Sequence, residues 1–599
     1  MKRFIVGALA TIGALSILGF FGFIFLIVVA ASSKPSVPSS LVLELDLSKP
    51  LPEQVAGDSL AGAFGNPDTT MRDVLDALEK GAKDDRVKSL LVHVEQVGSL
   101  AAAQELRDAV KAFRASGKKA IAFTDSFGES GNATGAYYLA AAFDEVYIQP
   151  SGDVNITGLA METPFARDAF AKVGVQPRIG QRYEYKNAVN TYTEQNFTAP
   201  HREAMEKLLG SFYGQIVRGI AEDRKLSEDE VKALIDRAPL LGQTALEAKL
   251  VDGLLYRDQV MEKVKKEAGD GARLLFVDKY VERAGRPHTT GDSTIALVYG
   301  VGGISRGKSN SNPLSGDQTF GGDSVALALR KATDDSKVKA IIFRVDSPGG
   351  SYVASDTVRR EVQRAREKGK PVIVSMATYA ASGGYFVSME ADKIVAQPGT
   401  LTGSIGVFGG KMVTADFWSK LGVNWETIAF GKDAALYSTD SDFTPEQLAK
   451  NDAMLDRIYA DFTEKAAKGR NLPLEQLQSL AKGRVWTGED AKANKLVDEL
   501  GGFPKALELA KEAAKLSQDA EVRLQVYPRK KEAAEFISEL LGGGEGDNSE
   551  DEKNAHVSVA APWAPVLEQT QALYRLGVRM GLVRSQQEAL SAPLPDTQW

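Results

Sequence analysis

Cysteine is absent from all 599 residues, which excludes disulfides, thiolate metal sites and a cysteine nucleophile together. Histidine is scarce: there are four, and none lies between His288 and His556. No two of them stand at ligand spacing on a helix, so no metal is expected. No GxxxxGK phosphate loop followed by Ser or Thr occurs, so a nucleotide, or any other cofactor, is not expected either. The net charge is only -7 and no long basic stretch appears, which argues against nucleic acid as a partner.

What is present is a globular composition, 43% hydrophobic and 25% charged, with enough length for several cores. The stretch from Phe4 to Ala31 carries no charge anywhere and follows Lys2 and Arg3. Such a run crosses a bilayer of about 30 Å with its basic end in the cytoplasm. Residues 1–33 are therefore expected to be one transmembrane anchor, with the remainder on the far side. The small residues Ala30, Ala31 and Ser32 also fit a cleaved secretory signal, whose apolar core is usually shorter, about 7 to 15 residues.

Beyond the linker SSKPSVPSS the chain alternates strand-like and helix-like segments, which predicts an α/β fold. Leu41–Leu47, Ser89–Val94 and Ala120–Thr124 read as buried strands, the last two flanking an amphipathic helix. The pattern then returns. Asp84–Glu95 matches Asp334–Asp346, Ala136–Pro150 matches Gly384–Pro398, and Tyr185–Thr198 falls without gaps on Gly431–Thr444, an offset of 246. AKLVD at 248–252 returns as NKLVD at 494–498 with the same offset. The expected organisation is a first repeat over 34–281, a linker over 282–292, a second repeat over 293–531, and an acidic, Gly-rich linker with a tail helix over 532–599.

The repeats differ where chemistry would sit. With Pro150 and Pro398 aligned, Ser404 of TLTGSIGVFG falls on Ile156; with the preceding strands aligned, Glu95 on Asp346, DSPGGS (Asp346–Ser351) has EQVGSL opposite it. Ser404 is accordingly read as a nucleophile kept in the second copy only. Ser382, in YAASGGYF, is its rival, since it also precedes a glycine-rich helix start. The paired glycines Gly349 and Gly350 lie between a strand and a helix, where outward amides can hold an oxyanion. With no imidazole near Ser404, the base falls to lysine, whose pKa burial can lower by several units. Lys186 and Lys432 occupy the same place in the two copies. Tyr183, Tyr185 and Val189 surround Lys186 in sequence, whereas Asp433 adjoins Lys432, so Lys186 is preferred and Lys432 kept as the rival.

Taken together, DSPGGS, YAASGGYF, TLTGSIGVFG, Tyr185-Lys186 and TGEDAKANKLVDELG (Thr487–Gly501) resemble the signal peptide peptidase A family in its long, tandem-repeat form. The resemblance runs from about Ser40 to Leu516. It implies the Clp protease/crotonase fold in tandem duplication and a serine/lysine dyad, carried here by Ser404 and Lys186. It further implies a homotetramer on the outer face of the bacterial inner membrane that cuts signal-peptide fragments and other apolar peptides. Single-repeat relatives place the lysine in a GxxKD-like setting that Lys432-Asp433 partly keeps, and Clp proteases carry their nucleophile in an AAS segment like that of Ser382. A non-catalytic, membrane-anchored peptide-binding scaffold is the alternative from another class. An acyl-CoA enzyme ranks below it, because an exported chain meets little CoA.

Overall fold

The computed structural model describes residues 36–54, 68–310, 318–528 and 590–591. Among them no helix is long and apolar enough to cross a membrane. The anchor expected over 1–33 lies outside the described residues, as do the acidic linker and the tail helix expected within 532–599.

The first repeat contributes β1 (Leu41–Leu47), β2 (Val87–Val94), β3 (Lys119–Thr124), β4 (Glu145–Ile148), β5 (Asp153–Val154), β6 (Gln176–Arg182), β7 (Leu240–Leu241), β8 (Gly253–Leu254) and β9 (Arg273–Phe276). The second contributes β10 (Ser293–Val301), β11 (Gly303–Ser305), β12 (Thr319–Gly321), β13 (Val338–Ser347), β14 (Gly349–Gly350), β15 (Val372–Ala381), β16 (Lys393–Ala396), β17 (Leu401–Gly403), β18 (Val407–Val413), β19 (Val485–Thr487), β20 (Glu499–Leu500) and β21 (Val522–Tyr527). A further short strand, β22, is formed by Leu590–Ser591.

The first main sheet runs β8-β4-β3-β2-β1-β9, all parallel. In the second, β20-β16-β15-β13-β10-β21 repeats that order, and β15 continues upward to pair with β17 as well. Near-continuous apolar runs such as those of β1 and β13 suit this arrangement, because helices cover both faces of a parallel sheet. The repeat is also visible in the helices. Thr198 and Thr444 each cap a 26-residue helix with proline in its first turn, and Lys225 and Asn471 end those helices in left-handed conformations. The segment expected to be the seam, Glu282–Asp292, begins in the last turn of the helix Val277–Ala284 and continues as coil to β10.

Three contacts lock the repeats together near the site. One apolar core spans both, joining Leu43, Leu90 and Tyr280 to Ile295, Ile342 and Phe503. The fully buried Arg344 of β13 is held by Glu105 and Glu53 of the first repeat, at 2.6 and 2.5 Å, and by Ser375 Oγ at 2.9 Å. Finally, β6 of the first repeat pairs antiparallel with β18 of the second along its whole length, from Val407 opposite Arg182 to Val413 opposite Gln176.

Candidate active site

The β6–β18 ladder is what carries Lys186 into the second repeat. Just past β6 the chain turns, with Tyr183 and Tyr185 amides both donating to Lys482 O at 3.1 Å. The same loop holds the next segment: Ser404 N–H donates to Arg484 O at 2.7 Å, and Gly483 N–H to Ile405 O at 2.8 Å. Gly483 sits against Lys186 so closely that a Cβ there would lie 2.6 Å from Lys186 Cα, and its φ is +86°. The loop 481–485 thus clamps the lysine turn onto the Ser404 turn, a role that no motif in the sequence announces.

Lys186 is 1% exposed, and its Nζ stands 2.9 Å from Ser382 Oγ, 2.9 Å from Ser404 Oγ and 3.1 Å from Ser404 O. Burial alone, without a neighbouring carboxylate, brings its pKa down from 10.5 to about 7. The amine is therefore poised near neutrality, as a general base requires. Lys432 is exposed, in the segment between β18 and the helix Pro445–Arg470, and takes part in none of the hydrogen bonds at either serine.

The two serines reach Nζ equally but differ in backbone setting. Ser382 lies between the end of β15 and the short helix Gly383–Phe386 in a strained conformation, φ 54° and ψ -115°. A non-glycine residue held in the left-handed half of the map at a strand-to-helix turn lifts its side chain out of both elements. Its successor must be glycine: a Cβ on Gly383 would stand 2.8 Å from Ser355 Oγ and 3.1 Å from Gly350 N. The Gly350 amide of the DSPGGS loop therefore lies beside Gly383, the residue after Ser382. Within that loop Gly349 N–H donates to Ser347 Oγ at 3.2 Å, so the expectation that Gly349 supplies an outward amide gives way, and Gly350 is the glycine left next to the serine elbow. Ser404 follows β17, also with positive φ (50°), but it presents both its hydroxyl and its carbonyl oxygen to Nζ.

A cavity of about 230 Å3 opens onto Lys186 and Ser404, walled by Leu100, Met205, Leu208, Phe212, Leu401 and Val485. Ser382, fully buried, does not line it and meets it only through the shared Nζ. His201 reaches this cavity from the helix Ala199–Arg224. Burial takes its pKa to about 4, and Asn190 Nδ2 lies 3.3 Å from its Nδ1, so the ring is neutral and engaged away from both serines. Sequence distance hid this imidazole, which belongs to the first repeat while both serines belong to the second.

The arrangement can supply a hydroxyl nucleophile, a neutral amine base and backbone donors. Comparison with known proteins finds peptidases. The model of peptidase family S49 matches residues 112–270 and 364–517. The chain is 33% identical over 470 residues to Protease 4 of Haemophilus influenzae, covering 75% of this chain and 74% of the relative. It is 32% identical over 479 residues to the chloroplastic serine protease SPPA of Arabidopsis thaliana, covering 78% and 69%. A putative signal peptide peptidase SppA of Enterococcus faecium is 31% identical over 242 residues, 40% of this chain and 69% of the relative.

Proposed function

Because the chain belongs to peptidase family S49 and is a serine peptidase, we propose that it is a membrane-anchored endopeptidase in which Ser382, Lys186 and Ser404 form the catalytic group. The observation that carries this reading is Lys186 Nζ, buried and 2.9 Å from both hydroxyls. We assign the nucleophile to Ser382 rather than to the expected Ser404. Both hydroxyls share the lysine, but only Ser382 adjoins Gly350 and Gly383, whose amides can receive the oxyanion.

In this reading neutral Lys186 takes the Ser382 proton as Oγ attacks a peptide carbonyl. The tetrahedral oxyanion rests on the Gly350 and Gly383 amides. Lysine then protonates the leaving amine, and a water activated by the same amine hydrolyses the acyl-enzyme. Ser404 positions Nζ through two contacts. The apolar wall of the cavity favours apolar side chains at the cut site, which fits fragments of signal peptides as substrates.

Duplication of one unit accounts for the matching sheet orders and for the family model matching twice. It also supports assembly into a homotetramer. By the repeat, β18 corresponds to 159–165 at an offset of 248, and β6 falls within 422–430 at offsets of 246 to 248, and among the described residues neither of these equivalents has a strand partner. Trp425, Ile428 and Phe430 stand 54, 91 and 95% exposed there. Pairing 422–430 of one copy with 159–165 of the next would reproduce the internal ladder and close a head-to-tail ring. Localisation in the inner membrane with the repeats outside rests on the charge pattern from Met1 to Ala31.

Full-length protein in detergent, assayed on an internally quenched leucine-rich peptide, tests the activity. Cleavage by the wild type and none by Lys186→Met is expected. Equal cleavage by the two proteins would sink the reading.

A further inference from the structure

Where β15 nears the site it carries more residues than the strand beside it. Val345 of β13 pairs with Met376 and Ser347 with Ala380, so 377–379 stand opposite the single residue Asp346. Extra residues in a ladder leave backbone groups without strand partners, and side chains take them up here. Thr400 Oγ1 donates to Ala377 O at 2.8 Å, and Tyr379 N–H donates to Asp346 Oδ1 at 2.9 Å, with the Thr378 amide directed at the same carboxyl. Asp346 is itself held at the backbone, where Gly302 N–H donates to its carbonyl oxygen at 2.9 Å.

This bulge decides where the reacting groups stand. At its end β15 pairs in register with β17, Tyr379 with Leu401, Ala380 with Thr402 and Ala381 with Gly403, and the next residue of each strand is a serine, Ser382 and Ser404. Along its own chain Asp346 opens DSPGGS, the loop that holds Gly350. Thr378 and Tyr379 line the cavity, and Thr378 Oγ1 meets Ser99 Oγ of the first repeat at 2.9 Å. In the repeat without the serines, the ladder of β2 and β3 runs from Ser89 opposite Lys119 to His93 opposite Phe123 with no shift, and Glu95, the counterpart of Asp346, is exposed.

We propose that Asp346 is a positioning residue of the peptidase, whose carboxyl, by holding the bulge at 378–379, fixes the separation between the Gly350 amide and the hydroxyls of Ser382 and Ser404. The proposal rests on the reading of Lys186 and the two serines as the catalytic group. Asp346 acts through the strand and not on the substrate. The apolar wall of the cavity, from Leu100 and Met205 to Phe212, does not depend on it. Its loss therefore misplaces attack and oxyanion against each other and leaves the grip on substrate side chains, which lowers kcat and spares KM.

The test uses the full-length protein with Asp346→Asn and Asp346→Ala, assayed on the quenched leucine-rich peptide beside urea melts. Asparagine keeps one carbonyl oxygen for the Tyr379 amide, whereas alanine leaves both amides without an acceptor. The expected kcat is lower by about 10-fold in Asp346→Asn and by about 100-fold in Asp346→Ala, with KM within about threefold of wild type and circular dichroism unchanged. A merely structural role would lower the urea midpoint and leave kcat per folded molecule as it was. Wild-type kcat in the folded variants, or a loss confined to KM, would overturn the proposal while leaving the peptidase reading intact. If Asp346→Ala does not fold, Asp346→Asn alone decides, by the same criterion. Equal cleavage by Lys186→Met and the wild type would instead remove the reading on which the proposal stands.

Discussion

Lys186 Nζ donates to Ser382 Oγ at 2.9 Å across 196 residues of sequence, from one repeat into the other. The lysine belongs to the repeat without the serines, so each half of the chain holds an incomplete site. The ladder between β6 and β18 brings them to hydrogen-bonding distance.

Exchanging the serines one at a time separates attack from positioning. Ser382→Ala should reduce kcat/KM to background, a loss on the order of 10^3-fold or more, because the acyl-enzyme cannot form. Ser404→Ala should lower kcat by about 10- to 100-fold and leave labelling by an active-serine probe detectable, since a positioning hydroxyl has been lost. Full activity of Ser382→Ala with a dead Ser404→Ala would return the nucleophile to Ser404.

The lysine sets the pH dependence. With Lys186 as the proposed base, activity needs the neutral amine, so kcat/KM should rise about tenfold per unit below pH 7 and level off above it, following the pKa near 7. Stability moves in the same direction. Unfolded, the amine titrates near 10.5; folded, near 7. Between those values the unfolded chain binds more protons, so this residue destabilises the fold most below pH 7 and progressively less toward pH 10.5, by on the order of 5 kcal/mol in all. Lys186→Met should thus be more stable than wild type at pH 6 in urea melts, with the advantage shrinking at pH 10.

Much of this could be read from the sequence, and the limits are physical. Strands β1, β2 and β3 were legible to within two residues, because buried parallel strands are continuous apolar runs. The offset of 246 located Lys186, and its aromatic neighbours favoured it over Lys432, which lies exposed. Which serine attacks was not legible. The distinguishing feature is the approach of Gly383 to Gly350, a contact between the turn after β15 and the loop after β13 that no spacing rule encodes. The same holds for Gly483, which lies in the opposite repeat from the lysine it packs on, and for the neutral His201 on the cavity wall.

Gly483→Ala should be inactive yet folded. The new methyl would meet the Lys186 backbone at 2.6 Å in a conformation that disfavours any Cβ, so the lysine turn must shift. A displacement of about 1 Å at a catalytic group costs on the order of 10^2-fold in rate. Circular dichroism like that of the wild type, together with lost cleavage, is the expected pair of results.

Arg344→Ala should loosen the join between the repeats. It leaves Glu105, 3% exposed, and its neighbour Glu53 without their guanidinium, and breaking a buried pair from one side costs about 3 to 5 kcal/mol. Urea denaturation should show a lower midpoint, and Arg344→Lys should fall between the two because an ammonium cannot bridge both carboxylates bidentately.

The exposed edge at 422–430 makes the last prediction. Ile428 and Phe430 are almost fully open to solvent, and Leu421 and Trp425 are exposed as well. The proposed partner surface follows from the internal ladder: β6, its counterpart in the first repeat, pairs with β18 from end to end. If copies join by 422–430 against 159–165, a charge in that edge meets a partner backbone with nothing to neutralise it. Ile428→Asp with Phe430→Asp should therefore shift the detergent-solubilised protein from the proposed tetramer to monomer in light scattering. Because Lys186, Ser382 and Ser404 come from one chain, the monomer should still cleave the quenched peptide. A tetramer that persists in the double variant would show that the copies meet through another surface.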